Sequence, residues 1–222
     1  MFHTIKNSFV NLYLIEEPHQ LTLIDAGVAK TAVRLVLKKI DELNRKPSDL
    51  KHILITHADG DHYGGAKAIK LATGAKIYAS KLEAQAMHEG RASRALPMKG
   101  IAGALFKMIE RYVLPMQPVD VDEIVVPGHS LPIMGGTQII ATPGHTPDHV
   151  SYFVPTKQWL FAGDSLNATT GVLKWVSGPV QWNYQLGMAS VQTQAALGAT
   201  TVACGHGKVI TGKITYPDFT KS

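Results

Sequence analysis

Cysteine is nearly absent from this chain, with one residue, Cys204, among 222. That excludes an internal disulfide framework, and its place in an apolar, strand-like stretch suits a packed thiol. No run approaches the roughly 18 apolar residues that a membrane-spanning helix needs. The first ten residues lack the basic start and long apolar stretch of an export signal, so the expected location is the cytoplasm. No sign of charge is in large excess: 22 Lys and Arg against 17 Asp and Glu leave +5. The basic residues are scattered, which reads as solvated surface, and neither a nucleic-acid nor a membrane partner is expected. Repeats and low-complexity tracts are also missing, so one domain over residues 1–222 is the expectation.

What the chain does have is histidine set beside aspartate at the ends of strands. Residues 53–56 form a short apolar run that stops at His57-Ala58-Asp59-Gly60-Asp61-His62-Tyr63-Gly64-Gly65. His57, Asp59, Asp61 and His62 can all bind metal, and a strand ending on such a loop presents them from a rigid support. The stretch is not a calcium loop, because the remaining oxygen ligands of an EF-hand are missing. Three more apolar runs end in the same way. Residues 138–141 lead to Thr142-Pro143-Gly144-His145, residues 159–162 to Gly163-Asp164, and residues 201–204 to Gly205-His206-Gly207. Singly, each His or Asp reads as an ordinary turn residue or helix cap. Four strand ends closing on such side chains point to a metal site.

The order and wording of these motifs resemble the metallo-β-lactamase superfamily from about Asn11 to Gly207. The first motif reads H-x-D-x-D-H where that family has H-x-H-x-D-H, so Asp59 stands in place of a histidine. The resemblance implies an α+β fold, a four-layer αβ/βα sandwich with its metals at one edge. It implies that His57, Asp59 and His145 hold one metal, that Asp61, His62 and His206 hold a second, and that Asp164 bridges them. Zinc is the implied cofactor, two ions per chain, with manganese or iron as alternatives because a carboxylate hardens the first set. A hydroxide between the metals would be the nucleophile, and Asp61 the catalytic carboxylate that shuttles its proton. Leu23-Ile24-Asp25-Ala26-Gly27 resembles the family's early strand-turn, where Asp25 would support the ligand loop from behind. Asp25 and His149 are candidates to orient ligands. The extra carboxylate at position 59 makes the shell more negative, which predicts activity rising into alkaline pH.

Periodicity places further strands near 10–15, 21–25, 76–79, 123–126 and 150–154, and helices near 30–43, 65–72, 81–88 and 183–197. Ile101, Leu105, Met108, Ile109, Tyr112 and Val113 form an apolar stripe at helical spacing between Pro97 and Pro115. Residues 90–118 therefore predict a helical lid or insertion, and the helix at 101–116 is a candidate homodimer face. The methionines nearby suit an adaptable apolar pocket. The expected activity is hydrolysis of a small ester, lactone or thioester carrying an apolar group; Tyr63 and Tyr184 could each donate to its carbonyl oxygen, but packed side chains are the expectation for both. Two other readings of the same residues are a mononuclear iron dioxygenase and a non-catalytic metal-binding signalling protein.

Overall fold

The computed structural model describes residues 1–94, 100–101, 108, 114–176, 178 and 180–217. The first half of the chain builds one six-stranded sheet: β1 (Phe2–Asn7), β2 (Val10–Glu16), β3 (Leu21–Ile24), β4 (Leu50–Leu54), β5 (Lys76–Ala79) and β6 (Glu123–Ile124), adjacent in that order. Its helices are α1 (Ala32–Glu42), the single turn α2 (Gly60–Tyr63), α3 (Ala66–Thr73) and α4 (Lys81–Glu89). The second half builds another six-stranded sheet from β7 (Ser130–Leu131), β8 (Thr137–Ala141), β9 (Val150–Val154), β10 (Trp159–Gly163), β13 (Thr201–Cys204) and β14 (Ile210–Thr211). A small ribbon, β11 (Leu166–Asn167) with β12 (Lys174–Trp175), and the helix α5 (Tyr184–Ala195) complete the described elements.

Strand alternation explains the layering. Along β2, Leu12 and Leu14 join Leu23, Ile53 and Ile77 against Val36, Ile40 and Ile69 of the helices. The alternate residues Tyr13 and Ile15 point the other way, against Tyr152, Val154 and Phe161 of the second sheet. The far face of that sheet, with Phe153, Leu160 and Val202, packs on Val191 of α5. Strands buried on both faces lose the polar alternation of a half-exposed sheet, which is why β2 and β9 are apolar nearly throughout. The result is the four-layer sandwich, helices outside and two sheets face to face.

Several boundaries differ from the sequence expectations. The strand expected over 53–56 runs Leu50–Leu54, because the Thr56 N–H leaves the ladder and donates to Asp25 Oδ1 at 2.8 Å. Strand β1, which periodicity does not mark, pairs with β2 through a tight turn in which Ser8 adopts φ 64°. The helix expected near 101–113, with the lid and dimer face built on it, lies mostly outside the described residues. Helix α5 starts where Asn183 Oδ1 accepts the Leu186 N–H at 3.0 Å, as an N-cap should. Among the described residues, no helix is long and apolar enough to cross a membrane.

Candidate metal centre

Both sheets end at the same rim. The segment after β4 brings His57, Asp59, Asp61 and His62, while the segments after β8, β10 and β13 bring His145, Asp164 and His206. The H-x-D-x-D-H stretch itself folds into the turn α2, closed by His62 N–H and Tyr63 N–H donating to the Asp59 carbonyl, each at 2.9 Å. Gly60 is required there, because a Cβ would fall 2.6 Å from the Leu114 carbonyl oxygen. All seven residues come together, as three overlapping sets whose donor atoms lie within 4.8 Å of one another: His57, Asp59 and His145; His57, His62 and Asp164; Asp61, His62 and His206. Asp164 lies between them, with Oδ1 3.4 Å from His62 Nε2 and Oδ2 3.1 Å from His206 Nε2 and 3.7 Å from His145 Nε2.

The donors suit a divalent ion. His57, His62 and His206 each have Nδ1 tied to an oxygen: Thr56 Oγ1 at 2.9 Å, Asp25 Oδ2 at 2.8 Å and the Phe9 carbonyl at 2.9 Å. That fixes the tautomer and leaves Nε2 facing the centre, the usual arrangement behind a metal-bound imidazole. Nε2 of His57 and of His62 and Oδ1 of Asp164 are buried without any hydrogen-bond partner. Unpartnered buried polar atoms are rare and call for an explanation, and a cation held among them supplies one. Gly205 keeps the space open, since a Cβ there would lie 2.2 Å from Asp164 Oδ1 and 2.5 Å from His62 Cε1.

The supporting residues divide the work. Asp25 accepts hydrogen bonds from the Thr56 N–H and hydroxyl as well as from His62, so one carboxylate sets the ligand loop and one imidazole. His149 takes the Asp164 N–H on Nε2 at 3.1 Å and donates from Nδ1 to Thr142 Oγ1 at 2.8 Å, which fixes the backbone of Asp164. Glu83, absent from the sequence expectations, accepts from the Ala58 N–H at 2.8 Å and the Thr146 hydroxyl at 2.6 Å. It therefore ties the loop after β4 to the loop that carries His145. Cys204 is fully buried, as a packed thiol. Tyr63 is buried and Tyr184 stacks edge-on against Trp175, and neither lines the cavity at the centre.

Arg94 is the largest departure. Its guanidinium forks onto Asp59, Nη1 to Oδ1 at 2.5 Å and Nη2 to Oδ2 at 2.8 Å, and Nη2 lies 3.2 Å from His145 Nε2. Burial works to raise the Asp59 carboxyl, but Arg94 beside it, with His145 and His57, holds it well below the usual range. The negative charge that distinguishes position 59 is thus offset while Arg94 is paired with it.

Without metal, the histidines share protons with the carboxylates. Burial lowers His57 to about 4, so it is neutral and ready to donate its lone pair. For His62 burial acts downward, but Asp164, Asp61 and Asp25 outweigh it and raise the imidazole well above 6.5. His206 is raised to about 9, burial again being outweighed by Asp164. A raised histidine adds stability that is full below its unfolded value of 6.5 and is lost as pH climbs through about 9. It also must shed its proton to bind metal. Zinc uptake by the metal-depleted chain near neutral pH is therefore expected to release protons from His62 and His206. Calorimetric titration in buffers of different ionisation enthalpy checks this, and a heat independent of the buffer would contradict it.

A cavity of about 330 Å³ opens onto Asp59, Asp61, His145, Asp164 and His206. Its walls include Phe9, Leu114, Met116, Val176 and Val180.

Comparison with known proteins follows the same lines. The chain matches the family described as the metallo-beta-lactamase superfamily over residues 5–206. A probable metallo-hydrolase, YflN of Bacillus subtilis, is 26% identical over 99% of this chain and 88% of its own. A hydroxyacylglutathione hydrolase of Albidiferax ferrireducens is 27% identical over 88% of this chain and 61% of its own. Among solved structures, the BLEG-1 B3 metallo-beta-lactamase superposes with a TM-score of 0.74 over 95% of this chain and 94% of its own. At 22% identity that last likeness is one of fold.

Proposed function

Because this chain belongs to the metallo-β-lactamase superfamily, we propose that it is a metal-dependent hydrolase of a small acyl ester, lactone or thioester with an apolar acyl group. The observation that carries the proposal is the cavity, whose apolar walls lead to a floor of histidines and carboxylates. The relative named for hydrolysing hydroxyacylglutathione favours a thioester among the three. Asp61, His62, Asp164 and His206 would hold one divalent ion, with His57, Asp59 and His145 the donors for a second. Nitrogen and oxygen donors of this kind suit zinc, with manganese or iron as alternatives. A divalent ion bound there supplies Lewis acidity and lowers the pKa of water towards neutrality.

The rest of the chemistry falls to the chain. Leu114, Met116, Val176 and Val180 would take the apolar group and exclude bulk water. The Phe9 ring stacks on the His206 imidazole at 5.8 Å and 15°, closing one side of the floor. Asp61 lines the cavity floor with an oxygen 3.5 Å from His206 Nε2, which places a carboxylate where it can pass a proton to a leaving alcohol or thiol. Asn167, also on the wall, has an amide able to orient the acyl oxygen.

The test is a panel of acyl thioesters, esters and lactones of graded acyl length, assayed with zinc-loaded and manganese-loaded protein. Turnover is expected, with kcat/KM rising as the acyl group becomes longer and more apolar. Metal-loaded protein that hydrolyses none of the three classes would overturn the reading. Oxygen consumption with iron would move the protein to the dioxygenase class.

A further inference from the structure

We propose that Arg94 is a resident cation of the first metal position, so that the protein holds one divalent ion tightly at Asp61, His62, Asp164 and His206 and admits a second only when Arg94 releases Asp59. The inference rests on the metal-hydrolase reading above and concerns how that centre is loaded.

The geometry is that of competition for the same donors. Both Asp59 oxygens accept from Arg94, in the paired fork that guanidinium and carboxylate form best. Nη2 also stands 3.2 Å from His145 Nε2, which is itself 3.1 Å from Asp59 Oδ2, so the guanidinium caps two of the three donors of the first set. A zinc ion would have to come within about 2 Å of those atoms. Ion and guanidinium cannot share that space, and their like charges would repel there. Nor is Arg94 a surface side chain passing by, since its side chain is 3% exposed and lines the floor of the cavity.

The second set has no such competitor. Among the described residues, the ion pairs of Asp61 and Asp164 run to histidines and to no Lys or Arg. Charge points the same way. Asp59, Asp61 and Asp164 carry three negative charges, which one divalent ion and one guanidinium offset in full. A second divalent ion added with Arg94 in place would leave the centre with excess positive charge, even with a hydroxide bound there. Withdrawal of Arg94 must therefore accompany loading of the first set. If the pair is open in about one molecule in a hundred, the affinity of that set falls about a hundredfold.

The experiment compares the full-length protein with Arg94→Met and Arg94→Lys. Each is dialysed to equilibrium in buffers of stepped free zinc, and zinc per chain is counted by mass spectrometry. Cobalt loading followed by visible absorption gives a second readout of coordination at each equivalent. The unaltered protein is expected to take up one ion tightly and a second about a hundredfold more weakly. Arg94→Met is expected to draw the second affinity at least tenfold closer to the first, with Arg94→Lys between, because an ammonium meets one oxygen where the fork meets two. Tight uptake of the first ion by each variant shows that it is folded around the second set. Two equally tight ions in the unaltered protein would overturn the proposal while leaving the metal-hydrolase reading standing. So would a weak second ion unchanged in Arg94→Met, which would place the weakness in the donors themselves. Zinc on none of the three proteins would remove the metal-hydrolase reading and this proposal with it.

Discussion

Gly205→Ala is expected to lower zinc affinity, and kcat/KM with it, by at least about a hundredfold while the chain remains folded. Position 205 has an ordinary backbone conformation, so alanine brings no strain of its own. What it brings is a methyl group 2.2 Å from Asp164 Oδ1 and 2.5 Å from His62 Cε1. The backbone cannot retreat. The Gly205 N–H donates to the Gly163 carbonyl at 2.8 Å and its carbonyl accepts the Asn11 N–H at 2.7 Å, so both sheets pin it. Nor can the His62 ring slide away without breaking its 2.8 Å bond to Asp25. Asp164 must then turn, and the donor set is spoiled. Overpacking of this size costs about 1–3 kcal/mol, within the stability of an ordinary domain. Equilibrium zinc binding and circular dichroism on the same sample check the two halves of the expectation. Retained zinc affinity would show that Asp164 is not among the ligands.

Asp25→Ala is expected to act on stability first. The carboxylate is buried and accepts from the Thr56 N–H, the Thr56 hydroxyl and His62 Nδ1. Removing it strands donors in the core, at a cost of about 3–5 kcal/mol, or a fall in Tm of roughly 10 °C. Its φ of 58° adds to the penalty, since alanine tolerates the left-handed region less well than Asp or Asn. Asp25→Asn separates the two roles. Its amide oxygen still serves Thr56 and its backbone still accepts the conformation, so most stability should return. Its amide N–H, however, meets His62 Nδ1 donor to donor and favours the tautomer that carries hydrogen on Nε2, the atom needed for metal. Asn at this position is expected to fold and yet bind zinc 10–100-fold more weakly, by melting and zinc titration respectively. Equal zinc affinity in Asp25→Asn and the unaltered protein would dissociate His62 from metal binding.

The parts of the centre that were legible in sequence are the local ones. His57 to His62 is a contiguous motif, and His145, Asp164 and His206 each follow an apolar strand, so side chain and scaffold are read together. Asp25 was legible through resemblance, because its strand and turn are worded like the family's early motif. Arg94 was not, because its partner Asp59 lies 35 residues away and nothing periodic links them. Glu83 is similarly hidden, on the buried face of a helix whose pattern marks it as one more polar position. The layers were legible from strands apolar on both faces, but β1 was not. Residues Phe2 to Asn7 alternate weakly, and their strand character comes from pairing with β2.

The contact between Phe9 and His206 joins the turn after the first strand to the loop after β13, a separation of 197 residues. Proteins emerge from the ribosome in order, and early segments begin to fold before later ones exist. The N-terminal sheet can form with the His57–His62 loop already in place, yet its floor stays open until the strand carrying His206 has been synthesised and docked beside it. A prematurely terminated chain would thus present four of the seven metal-capable residues or a few more, and lack the last imidazole and the aromatic ring seated on it. Assembly of this centre is therefore a late event in biosynthesis, and capture of metal reports that nearly the whole of the sandwich has closed.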